Sequence, residues 1–251
     1  MLIVIVTRNQ DAKIATWDRD VMAKSRLEHI RRHFNKEADI FDARVVKIVP
    51  QYRELLEALV DALPFARSKS ISVADLGCGT GTVAWLIKER FPNARITCVD
   101  LSRSMLDLAS HKLGSMKGIA FELAELGAYD FAGRHDAVVS SLALHHIEPG
   151  PRKAALYRRI CGALRRGGVF VNADIILSPD KPTQKMYLQK WAEFILRTYS
   201  RKDLERSHRM YKKEDRPADL LDELATLRKA GFRHAEVFWK HYNFATYGAK
   251  A

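Results

Sequence analysis

The chain has 251 residues, with 42 Lys and Arg against 30 Asp and Glu, and so carries a formal charge of +12. At 47% hydrophobic and 29% charged its composition is that of a globular protein and excludes a disordered one, and no apolar run nears the roughly 20 residues that a membrane-spanning helix needs. Cys78, Cys98 and Cys161 form neither a CxxC pair nor an even framework, so they read as free thiols of a reducing compartment, the cytoplasm.

Residues 1–21 read as an extension. They open on a short β-like run, MLIVIVT, without the basic region, long apolar core and cleavage site of a signal peptide. Residues 22–66 form an expected N-terminal helical cap. The stretch AKSRLEHIRRHFNKEADIF is helical in pattern, and Ile40, Val45, Ile48, Leu55, Leu59 and Leu63 continue at helical spacing. Pro50 divides that pattern into two helices, because proline disfavours helix in the residue before it.

From residue 67 to 251 the pattern alternates between strands and helices. Strands are predicted at 71–76, 94–100, 119–123, 135–144 and 169–176, and helices at 79–90, 103–113 and 152–164. Ser102 serves as an N-cap, and Arg165 to Gly168 form a turn. A helical, charged and aromatic insertion occupies about 180–213. A helix at 219–230 follows, closed by Gly231, and AEVFWKH with YNFATYGAK makes a final antiparallel hairpin. This rhythm indicates an α/β fold, a doubly wound and mostly parallel sheet.

The chemistry concentrates after the first strand, in Asp75-Leu76-Gly77-Cys78-Gly79-Thr80-Gly81. Alternate glycines let the chain turn tightly and let a ligand touch the main chain. Asp100 ends the second strand, where a carboxylate can take the two hydroxyls of a ribose. Gly79-x-Gly81-x-x-Ala84 formally satisfies a dinucleotide fingerprint. Asp75, however, stands where an acid repels a pyrophosphate and suits a ligand with an ammonium group.

With these motifs the sequence resembles the class I S-adenosylmethionine-dependent methyltransferases over about residues 34–251. The resemblance rests on VADLGCGTG, VDLSRSMLDLA, AVVSSLALHHIEPG and LRRGGVFV. It implies a Rossmann-like seven-stranded sheet with the last strand antiparallel, and S-adenosyl-L-methionine as cofactor. ADIFDARVVKIVPQY and KAGFRHAEVFWKHYNFATYGAK further resemble the carboxy-S-adenosylmethionine synthase branch of that superfamily. By that likeness Tyr52 approaches the cofactor, and Gly77, Cys78 and Gly79 form its loop. Asp100 and Leu101 take the ribose, Glu125 and Leu126 flank the adenine, and Ser141 replaces an asparagine. Asp75 and Gly81 complete the loop, and Met105 joins Leu101 and Leu126 around the adenine.

The synthases also hold their extra carboxylate with an arginine, and Met210 stands at the matching position here, beside Arg209. This departure favours methyl transfer to a small molecule over carboxymethyl formation from prephenate. His145 and His146 follow the fourth strand and are the candidate bases. Phe34, Phe41, Tyr52 and Trp191 are candidate lid or substrate-wall aromatics, and no metal centre is expected. Basic residues gather at 24–47 and 197–216 without an aromatic-interleaved stripe, so solvated helix faces are favoured over a nucleic-acid surface. RNA methylation and a non-catalytic cofactor-binding subunit are the remaining alternatives, and the synthase likeness suggests a homodimer.

Overall fold

The computed structural model describes residues 24–251, so the expected extension at 1–21 lies outside the described residues. A helix over 24–37, α1, leads through a short 3-10 turn into α2 (Phe41–Ile48) and α3 (Tyr52–Asp61). Pro50 separates α2 from α3, and Gln51 takes a left-handed conformation (φ 53°) to redirect the chain.

Strands and helices then alternate: β1 (Ser72–Leu76), α4 (Thr82–Arg90), β2 (Arg95–Asp100), α5 (Arg103–Leu113) and β3 (Ile119–Leu123). They continue as β4 (His135–Ser141), α6 (Pro151–Ala163) and β5 (Leu164–Ile175). The insertion is two helices, α7 (Lys181–Ile195) and α8 (Arg201–Glu214), before α9 (Leu220–Lys229), β6 (Glu236–His241) and β7 (Phe244–Lys250). The seven strands lie in the order β3-β2-β1-β4-β5-β7-β6. The first five are parallel, and β7 runs antiparallel to both β5 and β6.

Period-two alternation distributes the core to both faces of the sheet. Val73, Val139 and Val171 face one layer with Leu55, Leu59 and Ile87 of the helices. Their strand neighbours Ala74, Val138 and Phe170 face the other, with Leu156, Tyr157, Ile160 and Leu227. Strand β1 connects outward to β2 on one side, while β4 leads to β5 on the other. The crevice outside the carboxyl ends of β1 and β4 is therefore the topological switch point, where such sheets bind ligands.

Three boundaries differ from the sequence reading. Helix α4 begins at Thr82 rather than Gly79, because Gly79 and Gly81 both hold positive φ (52° and 82°). Strand β4 stops at Ser141, since Leu142 is forced to φ 50° and the chain folds into a 3-10 turn over Leu144–His146. The expected Arg165–Gly168 turn is instead the irregular start of β5, whose pairing with β4 shifts register between His135 and Ala137.

Candidate active site

The glycine loop shows why each glycine is there. Gly77 has φ 73°, and a Cβ on it would stand 2.2 Å from the Cβ of Ala143, so the loops after β1 and β4 meet at this point. Gly79 has open space where a Cβ would be, which leaves its backbone bare to the cleft. Gly81 does something else: its Cβ would meet Leu113 Cδ1 at 2.8 Å, so it lets α4 pack on α5 and does not line the cleft.

Asp100 crosses from β2 to this loop. Its Oδ2 accepts from the Gly79 amide at 2.9 Å and its Oδ1 from the Ser102 amide at 2.8 Å. Each oxygen retains a lone-pair direction for a ligand hydroxyl. Burial raises the pKa of Asp100, and the amides of Ser102, Gly79 and Leu101 oppose that rise. Ser102 caps α5 by accepting from the Met105 amide at 3.2 Å, which fixes Met105 under the cleft.

Asp75 lies behind the loop and not on the cleft wall. It is fully buried and neither carboxylate oxygen has a hydrogen-bond partner within bonding geometry. Burial, and then the charge of Asp100, push its pKa up to about 7, against a weak opposing pull from the Ala84 amide. Burial likewise raises the phenol pKa of Tyr52, with Asp42 and Asp75 adding to it. The Cys78 thiol is raised well above its usual value by its hydrogen bond with Cys98 and by burial, so it is no nucleophile.

The cleft is walled by most of the residues singled out in the sequence. Tyr52, Gly77, Cys78, Gly79, Asp100, Leu101, Met105, Glu125, Leu126, Ser141 and His146 all line it. The sequence reading expected a helical cap with Phe34 as a lid candidate but did not single out the other residues of the roof. Arg26, Leu27 and Ile30 of α1 close over the cleft with Phe34, and Arg152 sits at its rim 3.5 Å from Glu125. The roof is tied down at three points: Ser102 Oγ donates to Asn35 Oδ1 (2.6 Å), Thr80 Oγ1 to Asp42 Oδ1 (2.6 Å), and Arg26 Nη1 to the Glu214 carbonyl (3.1 Å).

A second cavity adjoins the first across Phe34, Phe41, Leu142 and His146, which border both. Trp191, expected near the substrate, lines this second cavity with Tyr211 and Phe244, and its indole nitrogen donates to the Ile48 carbonyl at 2.6 Å. Met210 is also on this wall, whereas Arg209 is exposed on the other side of α8.

At the junction of the cavities stand the two histidines. His145 is buried against the second cavity, away from the first, and His146 reaches both. His145 Nδ1 lies 2.5 Å from Asp174 Oδ1, and its Nε2 lies 3.6 Å from Asp215 Oδ1. Asp215 Oδ1 is also 3.2 Å from His146 Nδ1. Burial opposes charge on His145, but Asp174 and Asp215 outweigh it and raise its pKa. Both carboxylates also resist burial's upward push; His145 foremost holds them below the ordinary carboxylate range. Asp174 and Asp215 escaped the sequence reading because they lie far along the chain from the histidines; an acid in a central strand, flanked by Ala173 and Ile175, was the available signal.

Residues 73–168 match the family model described as a methyltransferase domain. The carboxy-S-adenosyl-L-methionine synthase of Helicobacter hepaticus is 28% identical over 220 residues, spanning 85% of this chain and 91% of that protein. Its counterpart in Aeromonas hydrophila is 28% identical over 214 residues, spanning 83% of this chain and 85% of its own. Among solved structures, an O-methyltransferase family protein from Burkholderia thailandensis superposes with a TM-score of 0.66 at 16% identity, covering 96% of this chain and 69% of that one. The DhpI–SAM–HEP complex superposes at 0.60 and 18% identity, covering 88% and 95%.

The residues fit the cofactor of that family. Gly79 offers a bare backbone and Asp100 has acceptor capacity facing the cleft. Residues 73–168 match a methyltransferase domain, and the sheet order and the acid-preceded glycine loop suit the S-adenosyl-L-methionine cofactor of class I methyltransferases.

Proposed function

We propose that the protein methylates a small molecule held in the second cavity, beside the cofactor cleft. The observation that carries this reading is the chemistry of that cavity. Its walls are Trp191, Tyr211, Phe244 and aliphatic side chains, with Glu37, Glu214 and Asp215 at the polar end. Among the described residues its one arginine is Arg44, already paired with Glu37. A dicarboxylate such as prephenate finds no unpaired arginine there, and an apolar acceptor with a hydroxyl or amine fits better.

Bound S-adenosyl-L-methionine supplies an activated methyl group on a sulfonium. The protein's part is to hold both reactants in line and dry, and proximity of this kind accounts for much of the rate in an already activated displacement. Asp100 and the glycine loop anchor one reactant, Phe34 and the rest of α1 cover it, and Phe41 and Leu142 border the passage between the cavities. His146, backed by Asp215, stands at that passage to take the acceptor's proton. Tyr52, Glu125, Leu126 and Ser141 complete the cofactor wall.

A second reading has one specific observation behind it: the relatives named carboxy-S-adenosyl-L-methionine synthase match most of this chain and most of their own length. Incubation of the purified protein with S-adenosyl-L-methionine, with and without prephenate, separates the two by mass spectrometry. Carboxymethylated cofactor formed only with prephenate would establish the synthase. Its absence, together with S-adenosylhomocysteine released in the presence of hydroxyl- or amine-bearing aromatics, is the outcome expected here. We further infer a cytoplasmic enzyme, consistent with three free cysteines, a cap formed by residues 22–66, and a homodimer, to be checked by light scattering.

A further inference from the structure

We propose that His145, His146 and Asp215 bind a divalent transition-metal ion, with Asp174 fixing His145 from behind. The three ligand atoms all lie within 4.8 Å of one another. An ion with bonds of about 2.0–2.2 Å to nitrogen and oxygen sets neighbouring ligand atoms about 3.0–3.5 Å apart. Asp215 Oδ1 already stands 3.2 Å from His146 Nδ1 and 3.6 Å from His145 Nε2.

The hydrogen bonding of His145 makes the case sharper. Its Nδ1 faces Asp174 Oδ1 at 2.5 Å, so that nitrogen carries the proton and donates it. Its Nε2 points at Asp215 Oδ1 across 3.6 Å, a gap that a cation between the two would fill. A carboxylate holding the far nitrogen of a metal-binding histidine is the outer-shell arrangement that sets the tautomer and strengthens the ligand. Asp174 is itself held, accepting from the amides of His145 (3.0 Å) and Ile175 (2.8 Å). His146 adds support: its Nε2 is buried without a hydrogen-bond partner, and its Nδ1 has only Asp215 Oδ1 beside it.

The backbone holds the ligands together, since the Arg216 amide donates to the His145 carbonyl at 2.7 Å and so clips the end of α8 to the histidine turn. Two imidazoles and one carboxylate select zinc, cobalt(II), nickel or iron(II) over magnesium or calcium, and leave coordination positions open. All three ligands border the second cavity. An ion here would lower the pKa of an acceptor hydroxyl that coordinates it. Deprotonation then occurs at the same place as in the reading above, by coordination instead of by a free histidine.

The test uses untagged full-length protein, stripped with a chelator, dialysed, and titrated with Co2+ alone. It needs neither cofactor nor acceptor, so it stands or fails separately from methyl transfer. The expected result is one saturable equivalent, with visible ligand-field absorption that Zn2+ abolishes. Asp215→Asn and His146→Gln should each weaken binding at least 10-fold, and Asp174→Asn about 10- to 100-fold, as outer-shell losses do. His111→Gln, on the exposed face of α5, should leave it unchanged. Retained far-ultraviolet circular dichroism and a cooperative urea transition show that each variant is folded. Wild-type binding no tighter than that of Asp215→Asn, or equal binding by all variants, would overturn the assignment in favour of a proton-bridged histidine–carboxylate cluster.

Discussion

Two carboxylates at the ends of neighbouring strands behave in opposite ways. Asp100 is buried but served by two amides, and it is the acceptor proposed for the cofactor. Asp100→Ala should weaken S-adenosylhomocysteine roughly 10- to 150-fold for each charge-assisted hydrogen bond lost, at about 1.5–3 kcal/mol per bond. Asp75 is buried without a partner, and its pKa stands at about 7 against an ordinary 3.8. Its folded form therefore prefers the proton more than the unfolded chain does. The stability this confers is complete below about pH 4 and is lost as the pH rises through about 7. Urea denaturation of the cofactor-free protein at intervals between pH 4 and pH 8 should show this fall, and Asp75→Asn should flatten it. The loop glycines and Asp100 were legible in the sequence because their spacing after a β-rich run has a direct backbone meaning. That Asp75 sits behind the wall, and Gly81 against α5, depends on side chains from other elements and was not.

Among the elements, α1 and the clamp between α6 and α9 carry distinct tasks. Helix α1 covers the cleft through Phe34, which meets Phe41 and His146 edge-on at ring separations of 6.2 and 5.5 Å. Removing that contact and the Ser102–Asn35 bond together, in Phe34→Ala/Asn35→Ala, should cost about 1–2 kcal/mol of closure. S-adenosylhomocysteine binding should weaken about 5- to 30-fold, and amide exchange should accelerate across 24–48 while β1 and β4 keep their protection. On the other face Lys153 and Tyr157 of α6 both bond Glu223 of α9, and all three are buried. Glu223→Ala leaves a buried ammonium uncompensated and should lower unfolding free energy by about 3–5 kcal/mol, measurable by urea denaturation. Most elements could be placed from periodicity alone, down to the Ser102 cap. The misplaced ends, at Gly79, Leu142 and Arg165, are those where positive φ or a register shift intervenes. The roof was half-legible: α1 reads as helical, but a helix pattern does not say what it covers.

At the scale of the molecule, the sheet's switch point places the cofactor cleft, and the cap and insertion together build the cavity beside it. No helix among the described residues is long and apolar enough to cross a membrane. Helices α1 and α8 each carry a net +3, together half of the chain's +12. RNA binding would show as affinity that falls linearly in log–log against salt, and filter binding between 50 and 200 mM salt should find only weak, non-specific association. The acceptor was the least legible feature, because the cavity proposed for it draws on α2, α7, α8 and β7, segments far apart in the chain. Calorimetric titration of the wild type and Asp100→Ala with S-adenosylhomocysteine, and of the wild type with NAD, tests the central claim most directly. Saturable binding of S-adenosylhomocysteine that Asp100→Ala abolishes, with no binding of NAD, is the predicted result. Binding of NAD, or of neither, or S-adenosylhomocysteine binding indifferent to Asp100, would contradict it.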